Sequence, residues 1–204
     1  MAPNGYVSLL ERVEPVWFVV SAVLFFAGYV AAYPVTKREV SVLTWYPLRV
    51  WRRVCEAVSP TDLWLKLFVF LLAFNSASLL INFLSGFFVV LPPVFAFLLG
   101  MNVGVITVKE ADRAWLFALL ANPVAWLELP AAWVSLAIGT QLGLEVLSGG
   151  VSGAVSVFSE LAEVYTYVVL PVLVAAALLE ASLIRIVDAG RDRKRGEHEH
   201  NEDS

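Results

Sequence analysis

The sequence predicts an all-α polytopic membrane protein, a helix bundle with about five transmembrane helices and one short half-helix or re-entrant segment. Of its 204 residues, 59% are hydrophobic, only 16% are charged, and the mean hydropathy is +0.76. Soluble domains carry nearer a quarter charged residues. Several apolar runs also reach the roughly 20 residues that cross about 30 Å of hydrocarbon. Composition and run length therefore both indicate that this chain is built for a bilayer.

Each predicted span is a long apolar run within residues 1–187, which we treat as a single transmembrane domain. The first run is entered through Trp17 and left through Tyr29 and Tyr33, aromatic residues suited to the membrane interface. The third run is interrupted by Pro92-Pro93. The five predicted spans are 16–33, 63–84, 86–106, 125–147 and 164–187.

A shorter apolar segment, AWLFALLANP at residues 114–123, lies between the third and fourth spans. Its apolar part is about eight residues, which is too short to cross a membrane. A residue before proline disfavours helix, so any helix should end before Asn122-Pro123. The segment therefore fits a half-helix, a re-entrant turn or an interfacial helix.

The distribution of Lys and Arg predicts the orientation of the chain. Basic residues cluster in the loop 34–62 and after Ile184, whereas the loop 148–163 carries none. Because cytoplasmic loops carry an excess of Lys and Arg, we expect a multi-pass cell-membrane protein with its N-terminus outside and its C-terminus in the cytoplasm. Five crossings satisfy this alternation, and six would break it.

Two segments outside the spans have patterns of their own. In TWYPLRVWRRVCEAV, residues 44–58, apolar residues recur at three- to four-residue spacing around Arg49, Arg52 and Arg53. This pattern is typical of an amphipathic helix on an anionic membrane surface, with membrane lipid as its partner. A helix packed on the other spans fits the pattern equally well. Residues 188–204 have low apolar content, which predicts a disordered, charged cytoplasmic tail.

Residue usage excludes several kinds of site. The single cysteine, Cys55, excludes an intrachain disulfide and a multi-cysteine metal site. The two histidines, His198 and His200, both lie in the tail, which excludes a histidine catalyst or ligand inside the bilayer. We therefore expect no catalytic residue, no metal, no cofactor and no nucleic-acid partner.

Polar side chains recur along the second predicted span. In FNSASLLINFLSG, residues Asn75, Ser78, Asn82 and Ser85 are spaced to share one helical face. A polar stripe inside a membrane must face protein or water. The plainest interpretation is hydrogen bonding between helices, which is worth about 0.6–2 kcal/mol per contact.

Two acids lie within later spans. Glu128 is near the start of the fourth span, where a carboxylate also complements the helix dipole. Glu180 is roughly 10 Å from the inner end of the fifth span, and Asn102 occupies the same half of the bilayer. The sequence thus predicts a buried polar centre of Glu128, Glu180, Asn102, Asn75 and Asn82, in which the two carboxylates would share a proton. Structural and proton-carrying roles are both open.

Small residues recur every fourth position in two spans. Gly100 and Gly104 form a G-x-x-x-G pattern in the third span, and Ser135, Gly139 and Gly143 form a similar series in the fourth. Small residues let helix backbones approach closely. These positions are therefore predicted helix-packing sites.

Several of these segments resemble one known family. The segments NPVAWLELPAAWVSLAIGTQLG, LVAAALLEASL, FNSASLLINF and LLGMNVG are similar to the stage II sporulation protein M family of bacterial and archaeal membrane proteins, over about residues 64–187. The family usually shows a Pro-His-Gly-x-x-Glu block. Here Pro123 and Glu128 match it, Val124 and Ala125 replace the histidine and glycine, and Glu180 matches the acid of the last span. Any role of that histidine is absent from this chain.

The resemblance implies an integral membrane protein, and sporulating members of the family act with cell-wall hydrolases during engulfment. We expect a non-enzymatic membrane scaffold or a component of an envelope complex, with envelope proteins or further copies of itself as partners. The alternative is a permease-like subunit of a transporter that works with a cytoplasmic ATPase, because transporters also use half-helices and buried acids. Nothing in the sequence shows a part in sporulation.

Overall fold

The computed structural model describes the backbone of residues 3–38, 40–57, 64–111 and 114–202, and the side chains of 5–38, 40, 44–53, 64–111 and 114–187. These ranges are helical apart from short turns, and they contain no strand. A 3-10 turn, Ser85–Phe88, follows α4, and a π-helical turn, Tyr165–Val169, follows α7. The helices are α1 (Pro3–Leu10), α2 (Pro15–Lys37), α3 (Ser41–Ala57), α4 (Trp64–Leu84), α5 (Leu91–Ala111), α6 (Trp115–Ala121), α7 (Ala125–Val164) and α8 (Leu170–Glu202).

Within the described residues, four helical segments are long and apolar enough to cross a membrane: Pro15–Lys37, Trp64–Phe88, Leu91–Ala111 and Ala125–Val187. The last has 63 residues. A straight helix of that length would extend roughly 95 Å at 1.5 Å per residue, about three times the thickness of the hydrocarbon layer. It is broken at Gly150, whose φ of 64° and ψ of −162° are not helical. The predicted all-α membrane helix bundle is confirmed.

At Gly150 the chain reverses direction and forms two antiparallel arms, 125–149 and 151–187. A Cβ atom on Gly153 would lie 2.9 Å from the carbonyl oxygen of Glu145, so the backbones meet directly beside the break. The two arms correspond to the predicted spans 125–147 and 164–187. The sequence places the stretch between those spans outside the bundle, yet its Ala154 and Leu161 are buried in the core.

The third span differs from its predicted form. The sequence places it at 86–106 with Pro92-Pro93 as an interruption, whereas α5 begins at Leu91 and holds both prolines in its first turn. The first N–H groups of a helix have no partner within the helix, so proline removes no hydrogen bond there. The prolines therefore start this helix. The chain before them turns at Val89, whose φ is 52°.

The short segment between the third and fourth spans forms a short helix, α6, and its position relative to the membrane stays a prediction. It has seven residues and ends at Ala121, directly before Asn122. The Asn122 side-chain oxygen accepts a hydrogen bond from the Val124 backbone N–H at 3.0 Å, which fixes the turn into α7. Tyr29 on α2 donates a hydrogen bond from its hydroxyl to the Trp115 carbonyl at 2.5 Å and so holds α6 against the bundle.

Helix α3 packs on the spans, and Thr44 and Pro47 are buried among its described residues. Leu48 contacts the cluster of Ala32, Met101 and Val105, on α2 and α5. The packed arrangement that the sequence left open is therefore present for this residue, while its neighbours Trp45 and Tyr46 are exposed. The predicted segment 44–58 ends outside the described residues.

Helix α8 continues to Glu202, through the tail that the sequence predicts to be disordered. A long helix extends at little cost once it is nucleated, so a spanning helix can continue beyond its apolar part. The side chains of residues 188–204 lie outside the described part of the chain. The disorder of the tail stays a prediction.

Candidate functional site

The structure brings together three of the predicted polar residues, from three helices. Asn75 on α4 donates a hydrogen bond from Nδ2 to the Oε1 atom of Glu128 on α7. Glu180 on α8 lies within electrostatic range of Glu128. Both acids are partly buried. We call Asn75, Glu128 and Glu180 the polar junction.

The start of α7 positions Glu128. The helix begins at Ala125, after the Asn122 turn, and Glu128 lies in its first turn, where the backbone N–H of Glu128 already donates to the Val124 carbonyl at 3.0 Å. A carboxylate in the first turn is stabilised by the positive end of the helix dipole. Asn75 adds a side-chain donor from a neighbouring helix. Glu180 lies well inside α8 and has no such helix-end stabilisation.

The structure does not bring Asn82 and Asn102 to the junction. The carbonyl oxygen of Asn82 would lie 2.7 Å from a Cβ atom on Gly139. Gly139 is roughly 16 Å along α7 from Glu128, because each residue of a helix rises 1.5 Å. Among the described residues, the Asn102 side chain on α5 forms no hydrogen bond to Asn75, Glu128 or Glu180. The polar stripe of α4 thus extends along α7 and does not converge on the acids.

The other polar residues of the predicted stripe act locally. Ser78 donates to the Phe74 carbonyl at 2.9 Å, and Ser85 donates to the Asn82 carbonyl at 2.7 Å, both within the same turn of chain. Only Asn75 reaches another helix. The spacing predicts a shared face correctly, but it cannot distinguish a side chain that bonds its own backbone from one that bonds a neighbour.

Two hydrogen bonds to the backbone of α4 were missed by the sequence analysis. Ser135 on α7 donates to the Leu79 carbonyl at 2.5 Å, and Tyr165 donates from its hydroxyl to the Ser76 carbonyl at 2.6 Å. Ser135 was predicted only as a small packing residue. Tyr165 lies at a span end, where an interfacial tyrosine is expected in any case. Both bonds join α4 to the two arms that flank it.

The predicted small residues lie at close helix contacts. Cβ atoms added to Gly100 and Gly104 would lie 1.8 Å from the Phe25 carbonyl oxygen and 2.6 Å from the Ala32 Cβ, both on α2. A Cβ on Gly143 would lie 3.0 Å from the Val89 Cα atom. Gly28, which the sequence analysis did not single out, is equally close to α5. The four-residue spacing of small residues therefore marks where helix backbones touch.

A second polar contact ties the N-terminal segment to the end of the bundle that carries Gly150. Arg12 forms an ion pair with Glu163 at 2.7 Å, and their side chains are 35% and 52% exposed. Gln141 donates to the Arg12 carbonyl at 3.0 Å and accepts from the Glu14 backbone N–H at 3.3 Å. Gln141 thus clamps the entry to α2 against the first arm.

The predicted basic residues lie at the opposite end of the bundle, on α3. Arg49, Arg52 and Arg53 are all exposed. The Arg49 guanidinium lies 4.8 Å from the centroid of the Trp45 ring, in cation–π contact. Across the residues whose side chains are described, no group of three or more His, Cys, Asp or Glu residues is placed to hold a metal ion.

The family model for Stage II sporulation protein M matches residues 17–183. The match begins within α2, ends within α8, and includes both acids and Asn75. No curated protein and no solved structure matches the chain. The matched region contains the four apolar, membrane-length segments almost completely. This chain is accordingly a multi-pass integral membrane protein and belongs to the stage II sporulation protein M family.

Proposed function

We propose that the chain is a non-enzymatic membrane scaffold, or a component of an envelope complex, in which the polar junction fixes how three spanning helices pack. The hydrogen bond from Asn75 to Glu128 carries the proposal. An acid inside a membrane is costly unless it is protonated, paired or hydrated. Here the acid of α7 is engaged by an amide of α4, which is what a packing role requires.

The contacts along the whole of α4 support the same role. Ser135 and Tyr165 donate to its backbone from opposite arms, and Trp64 donates from its indole Nε1 to the Ser182 hydroxyl of α8 at 3.4 Å. Side-chain hydrogen bonds at several levels fix both the rotation and the height of a helix. A bundle held in this way suits a component that presents fixed surfaces to partners.

The partners and the orientation belong to the same proposal. Envelope proteins or further copies of this chain would bind its exposed apolar sides, with the N-terminus outside the cell membrane and the C-terminus in the cytoplasm. The basic helix α3 would then lie at the cytoplasmic face, as the excess of positive charge on cytoplasmic loops requires. The Arg12–Glu163 pair would lie at the outer face.

A permease-like subunit that works with a cytoplasmic ATPase is the second candidate. The short helix α6 favours it, because transporters build sites from short and discontinuous helices. The predicted interruption of the third span no longer supports this candidate, because Pro92-Pro93 start α5. The acids of the junction would then carry ions, and a conformational change would have to separate Asn75 from Glu128.

Variants of the junction test the packing role through stability. Glu128→Gln keeps an oxygen that accepts from Asn75, so it should retain the free energy of unfolding, whereas Glu128→Leu and Asn75→Leu should each lose about 0.6–2 kcal/mol. The double variant Asn75→Leu/Glu128→Leu should lose less than the sum, because both changes remove one bond. Asn102→Leu is the matched control and should change stability less than Asn75→Leu does.

Unfolding of the purified chain in mixed micelles, followed by circular dichroism, measures these differences. Additive losses in the double variant would show that the two side chains are not coupled. A Glu128→Gln variant as unstable as Glu128→Leu would show that the carboxylate itself, and not the hydrogen bond, is required. Either result contradicts the packing role.

A further inference from the structure

Helix α3 presents a surface that is both aromatic and basic. Trp45 is 57% exposed and Tyr46 is 59% exposed. The basic side chains that follow them, Arg49, Arg52 and Arg53, are also exposed. We call this surface the α3 face, and it consists of Trp45, Tyr46, Arg49, Trp51, Arg52 and Arg53.

The α3 face contains a groove with charged walls. The groove has a volume of about 410 Å³ and is lined by Trp45, Leu48, Arg49, Arg52 and Arg53. The contact of the Arg49 guanidinium with the Trp45 ring holds this arginine at the groove. Three guanidinium groups around one concave surface are complementary to an anion, and guanidinium donors match the geometry of phosphate oxygens.

The contacts of Leu48 fix the depth of the α3 face. Leu48 packs on the cluster of Ala32, Met101 and Val105. Ala32 lies roughly 8 Å along the helix axis before Lys37, the last residue of α2. Near this end of α2, the Lys37 ammonium lies 5.8 Å from the centroid of the Tyr33 ring. Tyrosine and lysine at a span end are typical of the boundary between hydrocarbon and headgroups. We therefore expect the α3 face to lie near the headgroups of one leaflet.

We propose that the α3 face binds the phosphate headgroup of an anionic phospholipid. The arginines would contact the phosphate, and Trp45 and Trp51 would lie beside the glycerol and the first methylenes, where tryptophan is enriched in membrane proteins. The proposal goes beyond the scaffold role and is independent of it. It requires only that the spans cross a bilayer, and it holds for whichever leaflet faces this end of the bundle.

The charge and the depth of this surface favour lipid over a soluble protein partner. A docking surface for a cytoplasmic protein is expected to extend into water beyond the headgroups, whereas Leu48 anchors α3 beside the last two turns of α2. Each Lys or Arg near an anionic surface contributes about 1 kcal/mol, which corresponds to about fivefold in affinity. Three arginines together are therefore enough for selective retention of anionic lipid.

Quenching of tryptophan fluorescence tests the proposal with the full chain in nanodiscs. Brominated phosphatidylglycerol and brominated phosphatidylcholine are compared at equal mole fraction in a phosphatidylcholine background. We expect stronger quenching by the anionic lipid in the wild type. In Arg49→Gln/Arg52→Gln/Arg53→Gln the apparent affinity for phosphatidylglycerol should fall at least tenfold, and in Arg49→Gln alone about fivefold.

Three comparisons keep the result interpretable. Lys109→Gln, an exposed cation at the end of α5 that does not line the groove, is the matched control and should reduce the preference less than Arg49→Gln does. Replacing the three arginines by lysines keeps the charge and should retain part of the preference, which separates loss of binding from loss of folding. Free inorganic phosphate, added at the same concentration as the brominated phosphatidylglycerol, should not displace that lipid.

Several results would overturn the proposal. Equal quenching by the two lipids in the wild type would show no headgroup selection. If the triple glutamine variant kept the preference for phosphatidylglycerol, the α3 face would not be the source of that preference. A loss in Lys109→Gln as large as in Arg49→Gln would assign the preference to the overall positive charge at this end of the bundle. Displacement by free phosphate would indicate a site for soluble anions. A bound protein that protects Trp45 and Trp51 from both lipids would identify the α3 face as a protein-docking surface.

Discussion

Helices α2 and α5 approach so closely at Gly100 that no side chain fits between them. A Cβ atom on Gly100 would lie 1.8 Å from the carbonyl oxygen of Phe25, whereas ordinary van der Waals contacts begin at 3.4 Å. Gly28 makes the reciprocal contact, with a Cβ position 2.0 Å from the Phe97 carbonyl oxygen. The obstacle is backbone in both cases and cannot rotate away. Gly100→Ala must therefore push the two helices apart.

The size of the effect follows from the required separation. Relieving the overlap needs a shift of roughly 1.5 Å, and a gap of only about 0.5–1 Å already loses a quarter to a half of the dispersion energy of each contact. Overpacking in a closely packed interior costs about 1–3 kcal/mol, and the overlap here is with backbone. We expect Gly100→Ala to lose about 2–3 kcal/mol of the free energy of unfolding. Gly28→Ala/Gly100→Ala should lose less than the sum, because both changes open one interface.

Reversible unfolding in mixed micelles measures this loss, with Gly149→Ala as the control. Gly149 is also a helical glycine, but an added Cβ would meet nothing within 4 Å. Alanine should leave stability there unchanged or raise it by up to about 1 kcal/mol, because alanine is the better helix former. A Gly100→Ala variant as stable as Gly149→Ala would refute the close contact between α2 and α5.

Three further changes test the hairpin, the α4 contacts and the N-terminal clamp. Gly150 has φ and ψ values that only glycine adopts readily, so Gly150→Ala should lose about 1–3 kcal/mol in the same unfolding assay, in contrast to its neighbour Gly149→Ala. Tyr165→Phe removes only the hydroxyl that bonds α4 and should lose about 0.6–2 kcal/mol; no change would mean that the 2.6 Å bond contributes nothing. Arg12→Gln breaks an exposed ion pair with Glu163 and should lose less than about 1 kcal/mol, an effect that salt should abolish.

The architecture was largely predictable because the bilayer restricts it. A spanning segment must be long, apolar and helical, so run length predicted an all-α membrane helix bundle without any tertiary information. A short helix at α6 was predictable from an apolar run that is too short to cross and that ends at Asn122-Pro123. The start of α5 at Pro92-Pro93 was not predictable, because the same prolines can interrupt a helix or start one. Only the Val89 turn before them decides between these structures.

The site was less predictable, because spacing gives the face of a helix but not its partner. Depth in the bilayer grouped Glu128 with Glu180 and with Asn102, whereas Asn75 was added from the polar face of its own span. The hydrogen bonds from Ser135 and Tyr165 to the backbone of α4 could not be predicted, because a backbone acceptor has no sequence pattern of its own. Asn82 was placed with the acids because it shares the face of Asn75, yet two helical turns separate them along α4.

The composition of the complex that this chain forms in its native membrane tests the proposed scaffold role most directly. Mild-detergent purification of the wild type, Glu128→Gln and Glu128→Leu, with quantitative mass spectrometry of the retained proteins, gives that composition. We predict stoichiometric envelope proteins, or only further copies of this chain, with the wild type and Glu128→Gln, and their loss with Glu128→Leu. A stoichiometric nucleotide-binding ATPase retained by all three chains would contradict the scaffold role and favour the permease-like subunit.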